Sequence, residues 1–151
     1  MNKEELKVFL ANQFPELVFD ETQKILFVQV DVLQFKTLMQ ELRSNAELNF
    51  DFLTCLTCVD WKEHFTMVYY LLSRNFKHEL QLKVKLPDRD NDVIETVSDI
   101  WKTAEFHERE VYDLFGVKFE NHPDLRRLFL DENWPGYPLR KDYTDENMIE
   151  L

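Results

Sequence analysis

Glycine is almost absent: the 151-residue chain has two, Gly116 and Gly136. Neither a G-x-G-x-x-G turn nor a Walker loop can be written with them, which excludes the usual backbone cradles for nucleotide phosphates. No G-x-S-x-G elbow is present either. Cysteine is as scarce. Cys55 and Cys58 are too few for a secreted disulfide framework, so the sequence points to a reducing, cytoplasmic setting, and no second pair exists to complete four thiolates for zinc or an iron–sulfur cluster. Positive charge is in deficit, with 18 Lys and Arg against 29 Asp and Glu and a net charge of -11. That balance argues against a nucleic-acid partner, whose phosphates require a basic surface. The longest charge-free runs, beginning at Phe52 and at Phe65, are about half of the ~20 residues a membrane helix needs. The opening MNKEELKVFL lacks the basic flank and apolar core of a secretory signal.

What is present is an apolar share of 44% with thirteen Phe, enough for one domain burying roughly two thirds of its unfolded surface. Asn2 and Glu5 have the spacing of a helix capping box, followed by a stripe of Leu6, Phe9, Leu10 and Phe14 that Pro15 stops. Leu17–Phe19 and Ile25–Val30 read as a hairpin. Asp31 can cap a second helix, in which Phe35, Leu38, Met39 and Leu42 share a face. Three strand-like runs follow, at Leu48–Trp61, His64–Ser73 and Glu79–Leu86, joined by turns too short for a crossover helix. They predict an antiparallel meander with the helices on one face, an α+β fold. The segment from about Val93 to Phe115 reads as a helix. Arg109 stands one turn from both Glu105 and Asp113, a spacing suited to ion pairs. Gly116 sits where a left-handed helix terminator belongs.

Cys55 and Cys58, three apart in a strand, point to opposite faces, and buried structural thiols are expected of both. The four histidines, His64, His78, His107 and His122, have no metal-ligand spacing and read as surface or capping residues. No pair of carboxylates is marked for acid–base work.

The remaining stretch, 108–143, holds both glycines, Pro123, Pro135 and Pro138, and Arg109, Arg126, Arg127 and Arg140. Glu108-Arg109-Glu110 alone could be a solvated charge run on a helix. Its sequel, extended and rich in Arg, Trp and Tyr, instead suggests a docking device: an extended segment leaves backbone groups unpaired unless it lies on another surface, and these residue types are enriched at interfaces.

The order Glu108-Arg109-Glu110, Asp113, His122, Arg126, Leu128 resembles the signature of the 30 kDa subunit family of respiratory complex I, the C-type subunit of bacterial NADH-quinone oxidoreductase. Trp134-Pro-Gly-Tyr-Pro-Leu-Arg-Lys-Asp-Tyr143 resembles that family's second hallmark, and Cys58-Val-Asp-Trp61 a weaker one. The resemblance implies a non-catalytic subunit of the hydrophilic arm, without a cofactor of its own, in a complex that uses NADH, FMN, iron–sulfur clusters and quinone. Its neighbours would be the quinone-site (49 kDa-type) subunit and the iron–sulfur subunits. It would sit peripherally on the cytoplasmic face of the bacterial inner membrane, as a separate chain rather than fused to the quinone-site subunit.

On that footing residues 1–119 form an α+β domain and 120–151 an extended arm. The motif and interface residues are Glu108, Arg109, Glu110, Asp113, Gly116, His122, Arg126, Arg127, Trp134, Gly136, Tyr137, Arg140, Lys141, Asp142 and Tyr143. The rival readings are the same scaffold role in a membrane hydrogenase or in a quinone reductase fed by another donor, and a thiol redox protein using Cys55 and Cys58.

Overall fold

In the computed structural model, which describes residues 1–149, the first helix, α1 (Lys3–Gln13), begins with the expected capping box. Asn2 Oδ1 accepts from Glu5 N and Asn2 N donates to the Glu5 carboxylate, each at 2.9 Å. The hairpin follows as β1 (Val18–Asp20) and β2 (Leu26–Val30). Asp31 then caps α2 (Val32–Ser44), its Oδ1 accepting from Leu33 N at 2.9 Å. The meander is β3 (Phe52–Asp60), β4 (Phe65–Leu72) and β5 (Glu79–Leu86), each antiparallel to the next.

The hairpin does not stand apart from the meander. β2 lies parallel to β5, so the sheet has five strands in the order β1-β2-β5-β4-β3 and is antiparallel at every pair except that one. Alternation in the two strands explains the match. Leu26, Val28 and Val30 align with Leu80, Leu82 and Val84, and a register slip by one residue would turn every one of them into water.

The expected long helix over 93–115 is a correction. Val93–Glu95 is a short strand, β6, a turn covers the next residues, and the helix α3 runs only from Ala104 to Phe115. The run Val93-Ile94-Glu95-Thr96-Val97 is dominated by β-branched side chains, which favour extended backbone. Its partner is β7 (Lys118–Glu120), parallel to it just past Gly116. After β7 no helix or strand occurs among the described residues.

One face of the large sheet is dry. Phe65, Met67, Tyr69 and Leu71 of β4 are buried in register with Leu86, Val84, Leu82 and Leu80 of β5. The helices pack there: Phe35 of α2 lies 4.9 Å from the Tyr69 ring, and Phe115 of α3 meets Phe65 edge-on at 6.0 Å between centroids. Trp101, just before α3, donates from Nε1 to Phe50 O at 2.9 Å.

Candidate functional site

α3 carries three buried ionisable side chains, Glu108, Arg109 and Asp113, a costly arrangement unless each is answered by a partner. The sequence pairs Arg109 with Glu105 and Asp113. The structure does otherwise. Arg109 makes no ion pair among the described residues; its Nε donates to Arg126 O at 3.1 Å and its Nη2 to Arg127 O at 3.0 Å. Spacing on a helix brings charges within reach, but here the arm offers carbonyls in a fixed row, and a planar guanidinium fits them better than a neighbouring carboxylate.

Asp113 is answered by the same segment. Its Oδ2 accepts from the backbone N–H groups of Leu128, Phe129 and Leu130 at 3.1, 2.7 and 3.1 Å. Its Oδ1 faces Arg127 Nη1 at 3.1 Å. Arg127 then reaches outward, Nη2 donating to Trp134 O and Gly136 O, both at 3.0 Å. A single buried arginine therefore ties α3 to two separate parts of the arm.

The end of α3 depends on this arm. A helix leaves its last four carbonyls without internal partners. Here Tyr112 O accepts from Gly116 N at 2.9 Å, Asp113 O from Arg127 Nη1 at 2.9 Å, Leu114 O from Leu139 N at 3.1 Å, and Phe115 O from Arg140 Nε at 2.6 Å. Two guanidinium groups at this terminus also complement the helix dipole. Gly116 has φ +80°, and a Cβ there would sit 2.7 Å from the Tyr137 ring. Tyr137 occupies the space a side chain would need, between the guanidinium groups of Arg127 and Arg140, 5.0 and 4.9 Å from its centroid.

Beyond Arg140 the arm meets the sheet. Lys141 N donates to Asp60 Oδ2 at 2.8 Å, and Arg89 Nη2 bridges Asp60 and Asp142 at 2.7 and 3.1 Å. Asp60 lies within the Cys58–Trp61 segment but received no role from the sequence, and Arg89 was not singled out at all. Asp60 had a signal: alternation along β3 places it on the dry face with Leu56 and Cys58. Arg89, in a polar loop, had none. Gly136, at φ +77°, lies under the Tyr143 ring, and Trp134 Nε1 donates to Tyr143 Oη at 3.2 Å. Arg126 pairs only with nearby Asp124, and Glu110 is exposed with no hydrogen bond or ion pair among the described residues.

Burial pushes Asp113 and Asp60 up, but their N–H and arginine partners outweigh it, and both are held below the usual carboxylate range. Glu108 goes the other way. Its burial raises it to about 7 despite hydrogen bonds from Thr96 Oγ1 and from Val97 N, the latter at 2.7 Å. His122 lies alongside, its Nε2 3.7 Å from Glu108 Oε2 and both side chains fully enclosed. His122 Nδ1 accepts from Asp124 N at 3.0 Å, so the proton sits on Nε2, which donates to Glu105 O at 2.9 Å. Of the histidines expected as surface or capping residues, His122 and buried His78 are not at the surface, and both hydrogen-bond backbone groups, His78 that of Leu48.

Cys58 is buried and its thiol pushed up to about 12 by burial, with Asp60 and Asp92 adding to the effect. Cys55 is exposed, contrary to expectation. A register irregularity between Leu53 and Cys55 shifts the pairing there.

The arm differs from its expectation in one important way. Many of its backbone groups, from Arg126 to Leu130 and at Leu139 and Lys141, are paired with its own domain and not left open for a second chain. The side chains of His122 and Arg127 are enclosed, whereas Phe129, Trp134, Leu139, Met148 and Ile149 expose large apolar surfaces.

A family profile described as "Respiratory-chain NADH dehydrogenase, 30 Kd subunit" matches residues 28–147. The C/D-type NADH-quinone oxidoreductase subunit of Phocaeicola vulgatus is 47% identical over 114 residues, which are 75% of this chain and 21% of that protein. The C-type NADH-quinone oxidoreductase subunit of Chloroherpeton thalassium is 42% identical over 103 residues, 68% of this chain and 43% of that one. The chain thus spans less than half of the length of both. For the C-type subunit of Chlorobium phaeobacteroides the identity is 40% over 129 residues, 83% and 77% of the two chains. Among solved structures, a chain of the membrane-bound sulfane sulfur reductase, an archaeal respiratory membrane complex, superposes with a TM-score of 0.80 at 28% identity, over 93% of this chain and 85% of that one.

Proposed function

Because this chain belongs to the respiratory-chain NADH dehydrogenase 30 kDa subunit family, we propose that it is a non-catalytic core subunit of the peripheral arm of an NADH:quinone oxidoreductase. It scaffolds the quinone-site subunit and the iron–sulfur subunits, while NADH, FMN, the clusters and quinone are bound by other chains. Residues 1–119 serve as the rigid block and 120–151 as the docking arm, of which residues 150–151 lie outside the described residues. Attachment is peripheral, at the cytoplasmic face of the inner membrane; no helix among the described residues is long and apolar enough to cross a bilayer.

The observation that carries this reading is the division of the arm into two sides. Its polar groups are spent on α3 and Asp60, which fixes its path, and its apolar side chains face out, which is the pattern of a preorganised binding surface. The same scaffold role in another membrane-bound respiratory complex is a second reading, favoured by the likeness to the sulfane sulfur reductase chain.

The test is co-purification of a tagged copy from its native cells with mass-spectrometric identification of what comes with it. Other NADH-quinone oxidoreductase subunits are expected, and they should be lost with Phe129→Asp and Leu139→Asp while the isolated variant unfolds as the parent does. A parent chain that recovers no other subunit, or variants that assemble unchanged, would remove the proposal.

A further inference from the structure

The second face of the five-stranded sheet has no cover among the described residues. Register defines its central row across all five strands: Thr57, Val68, Lys83, Gln29 and Val18 lie side by side, and each is exposed or half-buried. Next to it, Lys85 stands beside Thr66, and a cleft of about 300 Å³ opens between these lysines, His64 and the exposed Trp61. The strands of this face run from three residues in β1 and five in β2 to eight or nine in β3–β5, which gives it an area of roughly 500 Å². That is well below the ~800 Å² a stable protein interface takes from each partner, so the face suits a short segment.

The charge on this face is unlike the rest of the molecule. In a chain of net charge -11, its middle holds two ammonium groups. Lys83 lies 4.2 Å from the Phe27 ring centroid and Lys85 makes no ion pair among the described residues. Carboxylates stand at its margins: Asp20 on the edge strand, Glu79 at the far end of β5, and Glu16 and Asp31 along a neighbouring cleft that Lys85 also lines. Lys83 and Lys85, two residues apart on one strand, project on the same side about 7 Å apart.

We propose that this open face is a second docking surface, and that it takes an acidic segment of a partner polypeptide, with carboxylates on Lys83 and Lys85 and an apolar side chain in the cleft beside Trp61. A second copy of the chain is disfavoured because face-to-face stacking sets lysines against lysines. An anionic bilayer is disfavoured because two ammonium groups do not offset the repulsion from so acidic a chain. The location supports a partner of the same assembly: Trp61 follows Asp60, where the arm ends its path over the domain. The inference rests on the reading of the chain as a subunit of a larger complex.

The test is amine-reactive footprinting of the complex purified on a tagged copy, compared with the isolated chain. Modification of Lys83 and Lys85 should slow by about tenfold or more in the complex, and a zero-length carbodiimide should join them to Asp or Glu of another polypeptide. Lys83→Glu with Lys85→Glu should abolish the cross-links and loosen assembly without changing the unfolding of the isolated chain. A complex in which both lysines react as fast as in the isolated chain overturns this inference and leaves the proposed function standing, whereas failure to recover any complex overturns the latter. Protection of the lysines in a dimer of the isolated chain, or lysine-dependent sedimentation of the isolated chain with phosphatidylserine vesicles, would also overturn it.

Discussion

Asp113 lies opposite Arg127, fourteen residues further along the chain, and not opposite Arg109, one turn away on its own helix. Both side chains are almost fully enclosed, and Asp113 also terminates three backbone N–H groups of the arm. Asp113→Ala would leave Arg127 and those three donors unpaired. Breaking a buried pair from one side costs about 3 kcal/mol or more, and denaturant unfolding should show it. Trypsin should then cut at Arg126 and Arg127 in the native protein.

Glu108 gives the protein a pH dependence of definite sign. Burial raises its folded value to about 7, from 4.5 for an unhindered carboxyl. The folded state therefore holds this proton more tightly than the unfolded state does. The associated stability is complete below about pH 4.5 and is lost as pH rises through 7. Glu108→Gln keeps an acceptor for Val97 N and removes the titration. The difference in stability between parent and variant should shift by up to about 3 kcal/mol in the variant's favour between those limits, and stay flat above pH 8.

Gly116→Ala meets two obstacles at one position. An L side chain is strained at φ +80°, and its Cβ would overlap the Tyr137 ring. The expected cost exceeds about 1 kcal/mol. Amide exchange should report it most strongly at Leu139, whose N–H bond to Leu114 O depends on that stacking.

The two thiols should behave differently. Exposed Cys55 is expected to take up a maleimide in the native protein at pH 8, and Cys58, buried with its thiol pushed up to about 12, only after unfolding. Intact-mass analysis would count one adduct before denaturation and two after. Rapid modification of both in the native state would revive the thiol redox reading.

The α+β fold, the first two helix caps and the meander were legible because they rest on local rules: capping-box spacing, alternation and short turns. The join of β2 to β5 was not, since parallel pairing of distant strands leaves no short-range mark. Val93–Val97 misled because β-branched residues interrupt a stretch whose charges suit a helix. In the site, the motif residues were visible but their partners were not. Arg109 and Asp113 sit at ion-pair spacing, and only the fold brings the backbone of 126–130 close enough to outcompete it. Asp60 carried a signal in being a charge on a dry strand face; Arg89 needed the structure.

The four carbonyls that end α3 impose a schedule. The groups that answer Asp113, Leu114 and Phe115 come from residues 127, 139 and 140, so the helix is translated well before its terminus can be completed. At 5–20 residues per second, the ribosome needs roughly 1–5 s to pass from Gly116 to Lys141. Asp113 waits until residues 127–130 are made, and the carbonyls of Leu114 and Phe115 stay open until residues 139 and 140. Nascent chains arrested with nothing beyond Glu120 outside the ribosome should accordingly be cut by protease within α3, and chains released from it should not. Maturation of this fold is timed by the emergence of Arg127, Leu139 and Arg140.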